Sequence, residues 1–176
     1  MTRLRRLVAC ERGYSLIELV QVTAILGVVL TGLTVIFIQA TNAQLDMNRR
    51  FQAQQSARVA IDRMRREIHC AKAITPAGTS SSIAVTIPAQ CPTSGGTQVD
   101  VVYDTQLVSP GHYRLRRAGV PIADYVRVAD VFTYTAPTTA SLGTLHVDLP
   151  INIQPPGSGS NWELAADMVL RNTTRA

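Results

Sequence analysis

The chain has 176 residues and a formal net charge of +5, so it has room for one domain of ordinary size and an appendage. Most of the positive charge precedes residue 14. This stretch has a net charge of +3, from four arginines (Arg3, Arg5, Arg6 and Arg12) and Glu11. The remaining 13 basic and 11 acidic residues give about +2. The net charge alone is therefore no reason to predict nucleic-acid binding.

An uncharged segment begins directly after Glu18 and runs from Leu19 to Ala40. Its 22 residues are enough for a helix to cross a bilayer core of about 30 Å. Basic residues before a membrane helix keep that side in the cytoplasm, so we expect the C-terminal part outside it. A cleaved secretory signal fits poorly, because the run is longer than a usual signal core and no small-residue cleavage site stands out. A plain single-pass anchor stays an alternative.

The stretch Gly13-Tyr14-Ser15-Leu16-Ile17-Glu18, between a basic leader and an apolar run, resembles the N-terminus of a type IV pilin or pseudopilin precursor. The family usually has Phe or Met where this chain has Tyr14. The resemblance implies that a membrane prepilin peptidase cleaves the Gly13–Tyr14 bond and methylates the new N-terminus. It also implies an assembly role for Glu18, which would pair with the Tyr14 amine of its own or an adjacent subunit. A Glu18 that only reaches the lipid headgroups is the alternative.

One long helix is predicted from Ser15 to about Ala73, because this stretch has no proline and few glycines. Small or polar residues in its apolar half allow close contact with neighbouring helices. They are Thr23, Gly27, Thr31, Gly32 and Thr34. The alternative is that such residues are simply frequent in membrane helices.

In the second half of this helix, apolar residues recur at spacings that predict a stripe packed on a sheet. They are Met47, Phe51, Ala57, Ile61, Met64, Ile68 and Ala71. The opposite face is predicted to be basic and either solvated or shared with a neighbour. It carries Arg49, Arg50, Arg58, Arg63, Arg65 and Arg66, with Asp62 and Glu67 among them.

Proline and glycine after Ala73 predict the end of the helix and a turn. Beyond it, short β-branched segments with intervening turn residues predict an antiparallel sheet. The predicted strands are Ile83–Ile87, Val99–Tyr103, His112–Arg116, Tyr125–Val128, Val131–Tyr134, Leu145–Leu149 and Met168–Leu170. Residues 154–160 are predicted to form a loop.

Two of the three cysteines, Cys70 and Cys91, lie in the part expected outside the cytoplasm, and Cys10 lies in the leader. Two cysteines in an oxidising compartment predict one disulfide. Two unpaired thiols remain the alternative, because spacing does not establish pairing.

Residues that would indicate catalysis or metal binding form no recognisable pattern. The sequence contains no phosphate-binding glycine loop and no zinc-protease, serine-hydrolase or C-x-x-C motif. His69, His112 and His146 fall on different predicted elements, and Asp100 and Asp104 lack the spacing of an EF-hand calcium loop. We therefore predict no enzyme activity, no cofactor and no bound metal.

The predicted fold class is α+β, in which a long N-terminal helix, transmembrane in its first half, packs by its second half on a C-terminal antiparallel sheet, as in the pilin fold. The predicted division is a leader (1–13), a transmembrane half-helix (14–40), an extracytoplasmic half-helix (41–73) and a β-rich domain (74–176). The stretch Arg58–Glu67 and the ending Val169-Leu170-Arg171-Asn172 are similar to minor components of the J or W type.

The resemblance implies a minor pilin or pseudopilin that initiates or caps a type IV pilus, competence or type II secretion filament. The implied partners are prepilin peptidase, other pilin or pseudopilin subunits, the inner-membrane assembly platform and membrane lipid. The expected location is the cytoplasmic membrane and then the filament. Two alternatives belong to other classes: an anchored extracytoplasmic binding module, which could contact DNA through its arginines, and an anchored enzyme.

Overall fold

The computed structural model describes residues 15–154, 159 and 161–172. These residues form one helix and nine strands. They are α1 (Leu16–Cys70), β1 (Ala73–Thr75), β2 (Gly78–Ser80), β3 (Ser82–Ile87), β4 (Val99–Ser109), β5 (His112–Arg117), β6 (Val120–Val126), β7 (Phe132–Thr135), β8 (Thr144–Ile151) and β9 (Trp162–Val169). The α+β class is confirmed.

The chain divides into two compact units, an N-terminal unit (Met1–Leu45) and a C-terminal unit (Asp46–Ala176), and α1 contributes to both. In the N-terminal unit every residue from 15 to 40 is exposed. The apolar part of α1 is long and hydrophobic enough to cross a membrane, with a mean hydropathy of 2.3 over its best window. An apolar surface of this size on a helix calls for a lipid or protein neighbour.

The strands of the C-terminal unit form one antiparallel sheet in the order β1-β3-β4-β5-β6-β8-β7-β2, with β9 added to β8. β1 and β2 stand at opposite ends of this path, although only residues 76 and 77 separate them in the chain. The three Cα–Cα steps from Thr75 to Gly78 span at most about 11 Å. The sheet must therefore curl until its two ends approach each other.

The hydrophobic core of the C-terminal unit lies between α1 and the concave side of this sheet. Helix residues Ala57, Met64 and Ile68 are fully buried, as are strand residues such as Phe132 and Leu149. The predicted stripe is confirmed from Ala57 to Ala71. The stripe also includes the buried alanines Ala53 and Ala60.

The N-terminal end of the predicted stripe is wrong, because Met47 is 71% exposed and Phe51 is 64% exposed. The first buried helix residue is Ala53, so the sheet covers the helix only from that position onward. Helical spacing identifies one face of a helix, but it does not show how far along that face the partner extends.

Two of the strands, β1 and β2, fall where the helix end and a turn were predicted. The helix ends at Cys70, and Thr75–Pro76 is a cis peptide bond between the two strands. Each strand has three residues and pairs with a strand that is distant in the chain. No local pattern identifies a strand of this length.

The strand predicted at Tyr125–Val128 is wrong, because β6 occupies Val120–Val126. Its hairpin with β5 turns through Ala118 and Gly119, which both have positive φ, at 47° and 79°. This is the pattern of a two-residue type I′ turn. Alanine rarely adopts positive φ, and so the turn gave no recognisable signal in the sequence.

Candidate functional site

The predicted cleavage site, Gly13 and Tyr14, lies outside the described residues. The first described residue is Ser15, which directly precedes the helix. The features of the candidate assembly site that the structure describes are therefore Glu18 and the apolar part of α1.

Glu18 lies in the first turn of α1, where its side chain faces the start of the helix. The backbone N–H of Ser15 donates a hydrogen bond to Glu18 Oε2 at 3.3 Å. Ser15 and Glu18 thus have the spacing of a capping box, in which the third helical residue binds the backbone of the capping residue. A carboxylate there also interacts favourably with the helix dipole. Sequence reasoning missed this local role, although Ser-x-x-Glu before an apolar run is its usual signature.

The threonine side chains within the apolar half of α1 bond to their own helix. The hydroxyl groups of Thr31 and Thr34 each donate to the carbonyl four residues earlier, at 2.8 Å in both cases. Thr23 bonds in the same way at 3.0 Å. Bonds of this kind satisfy the hydroxyl group without an outside partner. They make these threonines compatible with a lipid-facing surface.

Cys70 and Cys91 form a disulfide in the structure, with their Cα atoms 6.0 Å apart. The bond links the last residue of α1 to the loop between β3 and β4. That loop is held further by Ser94, whose hydroxyl donates to the carbonyl oxygens of Ala89 and Cys91 at 2.9 Å and 2.8 Å. The disulfide reinforces a connection that the sheet also makes, since the backbone N–H of Lys72 donates to the Thr86 carbonyl oxygen at 2.8 Å and β1 pairs with β3.

We predict that this disulfide is present in protein recovered from the cell envelope. Replacing both Cys70 and Cys91 by serine should then lower the free energy of unfolding by about 3 kcal/mol, because the bond closes a loop of roughly 20 residues. Peptide mapping without reduction measures the pairing, and Cys10→Ser is the matched control that should leave the map unchanged. Recovery of both residues as freely alkylated thiols would rule out the pairing.

A buried ionic cluster joins α1 to β4 and β5. The side chain of Glu67 is 1% exposed and lies 2.9 Å from the Arg117 Nη2 atom. Arg117 Nε donates to both carboxylate oxygens at 3.0 Å and 3.1 Å, and the Tyr103 hydroxyl donates to Glu67 Oε2 at 2.5 Å. Arg63 approaches from the preceding turn of the helix, with its Nε atom 3.6 Å from Glu67 Oε1. The carboxylate is therefore both paired and hydrogen-bonded, as a buried charge requires.

Burial, together with the hydrogen bond to Glu67 and its negative charge, raises the pKa of Tyr103 far above its ordinary value. Tyr103 consequently remains a hydrogen-bond donor at every physiological pH. The prediction that Glu67 lies on the solvated basic face is wrong. Its spacing from Ala60 and Met64, which are both buried, places it on the same stripe as the core residues.

A second polar cluster lies on the hairpin of β5 and β6. The Asp124 carboxylate lies 2.7 Å from His112 Nε2 and accepts a hydrogen bond from Arg114 Nη2 at 3.0 Å. The His112 ring stacks on Tyr125 with centroids 4.9 Å apart. Burial alone would raise the pKa of Asp124, but the hydrogen bonds from Arg114 and His112 outweigh it and lower that pKa. The cluster fastens two neighbouring strands.

The other acidic and histidine residues considered for metal binding are dispersed. Asp104 pairs with Arg116, and Asp100 accepts a hydrogen bond from Thr86 at 2.7 Å. His69 Nδ1 lies 2.9 Å from the carbonyl oxygen of Val169, and His146 Nδ1 lies 2.7 Å from Asp167. Within the described ranges, no three His, Cys, Asp or Glu side chains are grouped as a metal site requires.

Comparisons with known protein-family models, with curated proteins and with solved structures found no match to this chain. The candidate site is therefore defined by its own residues. In the N-terminal unit it consists of Glu18 and the exposed apolar part of α1. In the C-terminal unit, the disulfide and the Glu67 cluster separately hold the end of α1 to the sheet.

Proposed function

We propose that this chain is a structural subunit of a type IV pilus-like filament. Within that class we assign it as a minor pilin or pseudopilin, which initiates or caps a pilus, competence or type II secretion filament. Its partners would be prepilin peptidase, other filament subunits, the inner-membrane assembly platform and membrane lipid. Before assembly it would be anchored in the cytoplasmic membrane, with its C-terminal unit on the outer side.

One observation carries this proposal. The helix α1 carries a carboxylate, Glu18, in its first turn, followed by an uncharged segment in which residues 19–40 are all exposed. The C-terminal part of the same helix packs on an antiparallel sheet. An uncharged helix of this length suits a bilayer or the interior of a helical bundle. The basic leader and Gly13 immediately before it are what the peptidase of this family requires.

In the proposed mechanism, cleavage after Gly13 makes Tyr14 the N-terminal residue, and its amine becomes a positive charge at the start of the apolar helix. Glu18 already faces the Ser15 backbone N–H at 3.3 Å, and adjacent Cα atoms are about 3.8 Å apart. We propose that this carboxylate pairs with the new amine of its own chain or of an adjacent subunit. Pairing would neutralise both charges in surroundings where an unpaired charge is costly.

Replacing Gly13 by leucine should block cleavage, because the peptidase must accommodate the residue that precedes the scissile bond. The full-length chain should then accumulate in membranes of cells that contain prepilin peptidase, with little or no mature form. Gel mobility of the membrane fraction measures this. Gly27→Leu is the matched control, since a Cβ atom built at Gly27 meets nothing within 4 Å and normal processing is expected.

Mature-sized protein from the Gly13→Leu variant, at the level of the unmodified chain, would remove the basis of the proposal. Such cleavage would not depend on Gly13, and an anchored extracytoplasmic binding module cut by another protease would then describe the chain better.

A further inference from the structure

A groove beside the C-terminal part of α1 is rich in arginine and has a volume of about 480 Å³. Three parts of the C-terminal unit contribute to it: α1, the loop between β3 and β4, and the end of β5. The lining residues are Val59, Arg63, Arg66, Glu67, Thr93 and Arg117. Three guanidinium groups and one carboxylate give the groove a net charge of +2.

The positive charge of this groove is not neutralised within the described part of the chain. Glu67 is fully engaged by Arg117, Arg63 and the hydroxyl of Tyr103. Arg66 is exposed, and no described carboxylate lies within ion-pair distance of it. Its guanidinium group, with five donors in a fixed planar fork, is therefore available to an anionic partner.

Unpaired negative charge lies on the outer face of β8 and β9. Asp148 on β8 and Glu163 on β9 are exposed, and neither has a cationic partner among the residues that the structure describes. The register pairs Asp148 with Ala165 and Pro150 with Glu163, so the two carboxylates are diagonal neighbours on one face. Buried residues such as Val147 and Leu149 face the opposite way, into the core.

We infer that the arginine groove of one copy of this chain binds the acidic face of a second copy, with Asp148 and Glu163 against Arg66. The two surfaces are different parts of the chain, so the contact is heterologous. A heterologous contact that does not close into a ring continues as an open helical assembly. Initiating or capping a filament requires no contact between copies, so failure of this inference would leave the proposed function standing.

A protein carboxylate suits this groove better than a nucleic acid does. No aromatic ring lines the groove, whereas single-stranded nucleic acids are held largely by stacking of bases on aromatic side chains. Residues 46–176 carry 13 basic and 10 acidic side chains, which is a small excess for a surface that follows a phosphate backbone.

The single lysine of this chain, Lys72, makes carbodiimide cross-linking a direct test. The reagent joins a lysine amine to a carboxylate in contact with it as an amide, and takes up the released water as a urea. The background variant Lys72→Arg contains no lysine, and adding Arg66→Lys places one amine in the groove while keeping its charge. Unlabelled and heavy-isotope-labelled full-length chains are mixed in detergent micelles, so that links between copies carry both labels.

We expect cross-linked peptides that carry both labels and join residue 66 to Asp148 or Glu163. They should disappear in the double variant Asp148→Asn, Glu163→Gln. They should also fall several-fold between 0.1 M and 1 M salt, as the screening length shortens from about 10 Å to about 3 Å. Arg49→Lys in the same background is the matched control, because Arg49 is exposed on the same helix outside the groove and should form no such link.

Cross-links confined to one label, or joined to other carboxylates, would overturn the inference. An equal yield from the Arg49→Lys variant would overturn it too. A single-stranded oligonucleotide that blocks the link through residue 66 would instead assign the groove to phosphate.

Discussion

Replacing Glu67 by alanine should lower the free energy of unfolding of the C-terminal unit by about 3–5 kcal/mol, the usual cost of removing one partner from a buried ion pair. The variant leaves the guanidinium group of Arg117, whose side chain is 19% exposed, without its carboxylate. It also leaves the hydroxyl of the fully buried Tyr103 without its acceptor, and a buried unsatisfied polar group is costly in itself. Urea unfolding of the full chain in detergent, followed by the fluorescence of its single tryptophan, Trp162, measures the change.

Asp62→Ala is the matched control for this prediction, because Asp62 pairs with Arg65 at 3.4 Å on the same helix but at the surface. Exposed pairs of this kind contribute at most about 1 kcal/mol, so the control should change stability little. Arg117→Ala should destabilise about as much as Glu67→Ala, since it leaves the carboxylate buried with fewer partners. Similar small losses for Glu67→Ala and Asp62→Ala would show that the buried cluster contributes no more than a surface pair.

Replacing Glu18 by alanine should remove the mature chain from filaments while leaving membrane insertion and cleavage intact. Insertion should be as good or better, because the segment becomes more apolar. If the proposed pairing is right, the variant loses the partner of the Tyr14 amine, and a charge left without its counter-charge in an apolar core costs several kcal/mol. The amount of the chain in sheared filaments, relative to the amount in membranes, measures this, and Glu18→Asp should give a partial defect.

Glu18→Gln separates this pairing from the capping role seen in the structure. Glutamine can still accept the hydrogen bond from the Ser15 backbone N–H, as it does in other capping boxes, but it carries no charge. Pairing therefore predicts that Glu18→Gln is excluded from filaments as Glu18→Ala is. Normal incorporation of Glu18→Gln would mean that Glu18 acts only as a helix cap.

Features that depend on neighbouring residues were predictable from the sequence. The uncharged run and the absence of proline predicted α1, which ends at Cys70, three residues before the predicted end. Alternating β-branched segments predicted most of the strands that form the antiparallel sheet. These signals are local, since helix and strand periods are properties of short windows.

Features that depend on distant residues were not predictable. Glu67 meets Tyr103 and Arg117, which lie 36 and 50 residues further along the chain, and no local signal links the three. Charge alone suggested a solvated face for Glu67, while its helical position indicated burial. The strands β1 and β2 were missed for a related reason, because their partners β3 and β7 determine them more than their own three residues do.

The intact mass of the chain extracted from the cell envelope tests the proposed function most directly. The protein would be expressed at a low level in cells that contain prepilin peptidase, extracted in detergent and measured without proteolysis. The account predicts the mass of residues 14–176 with one added methyl group, and two hydrogens fewer when Cys70 and Cys91 are paired. The mass of the full 176-residue chain, or of a chain cut at any other bond, would contradict it.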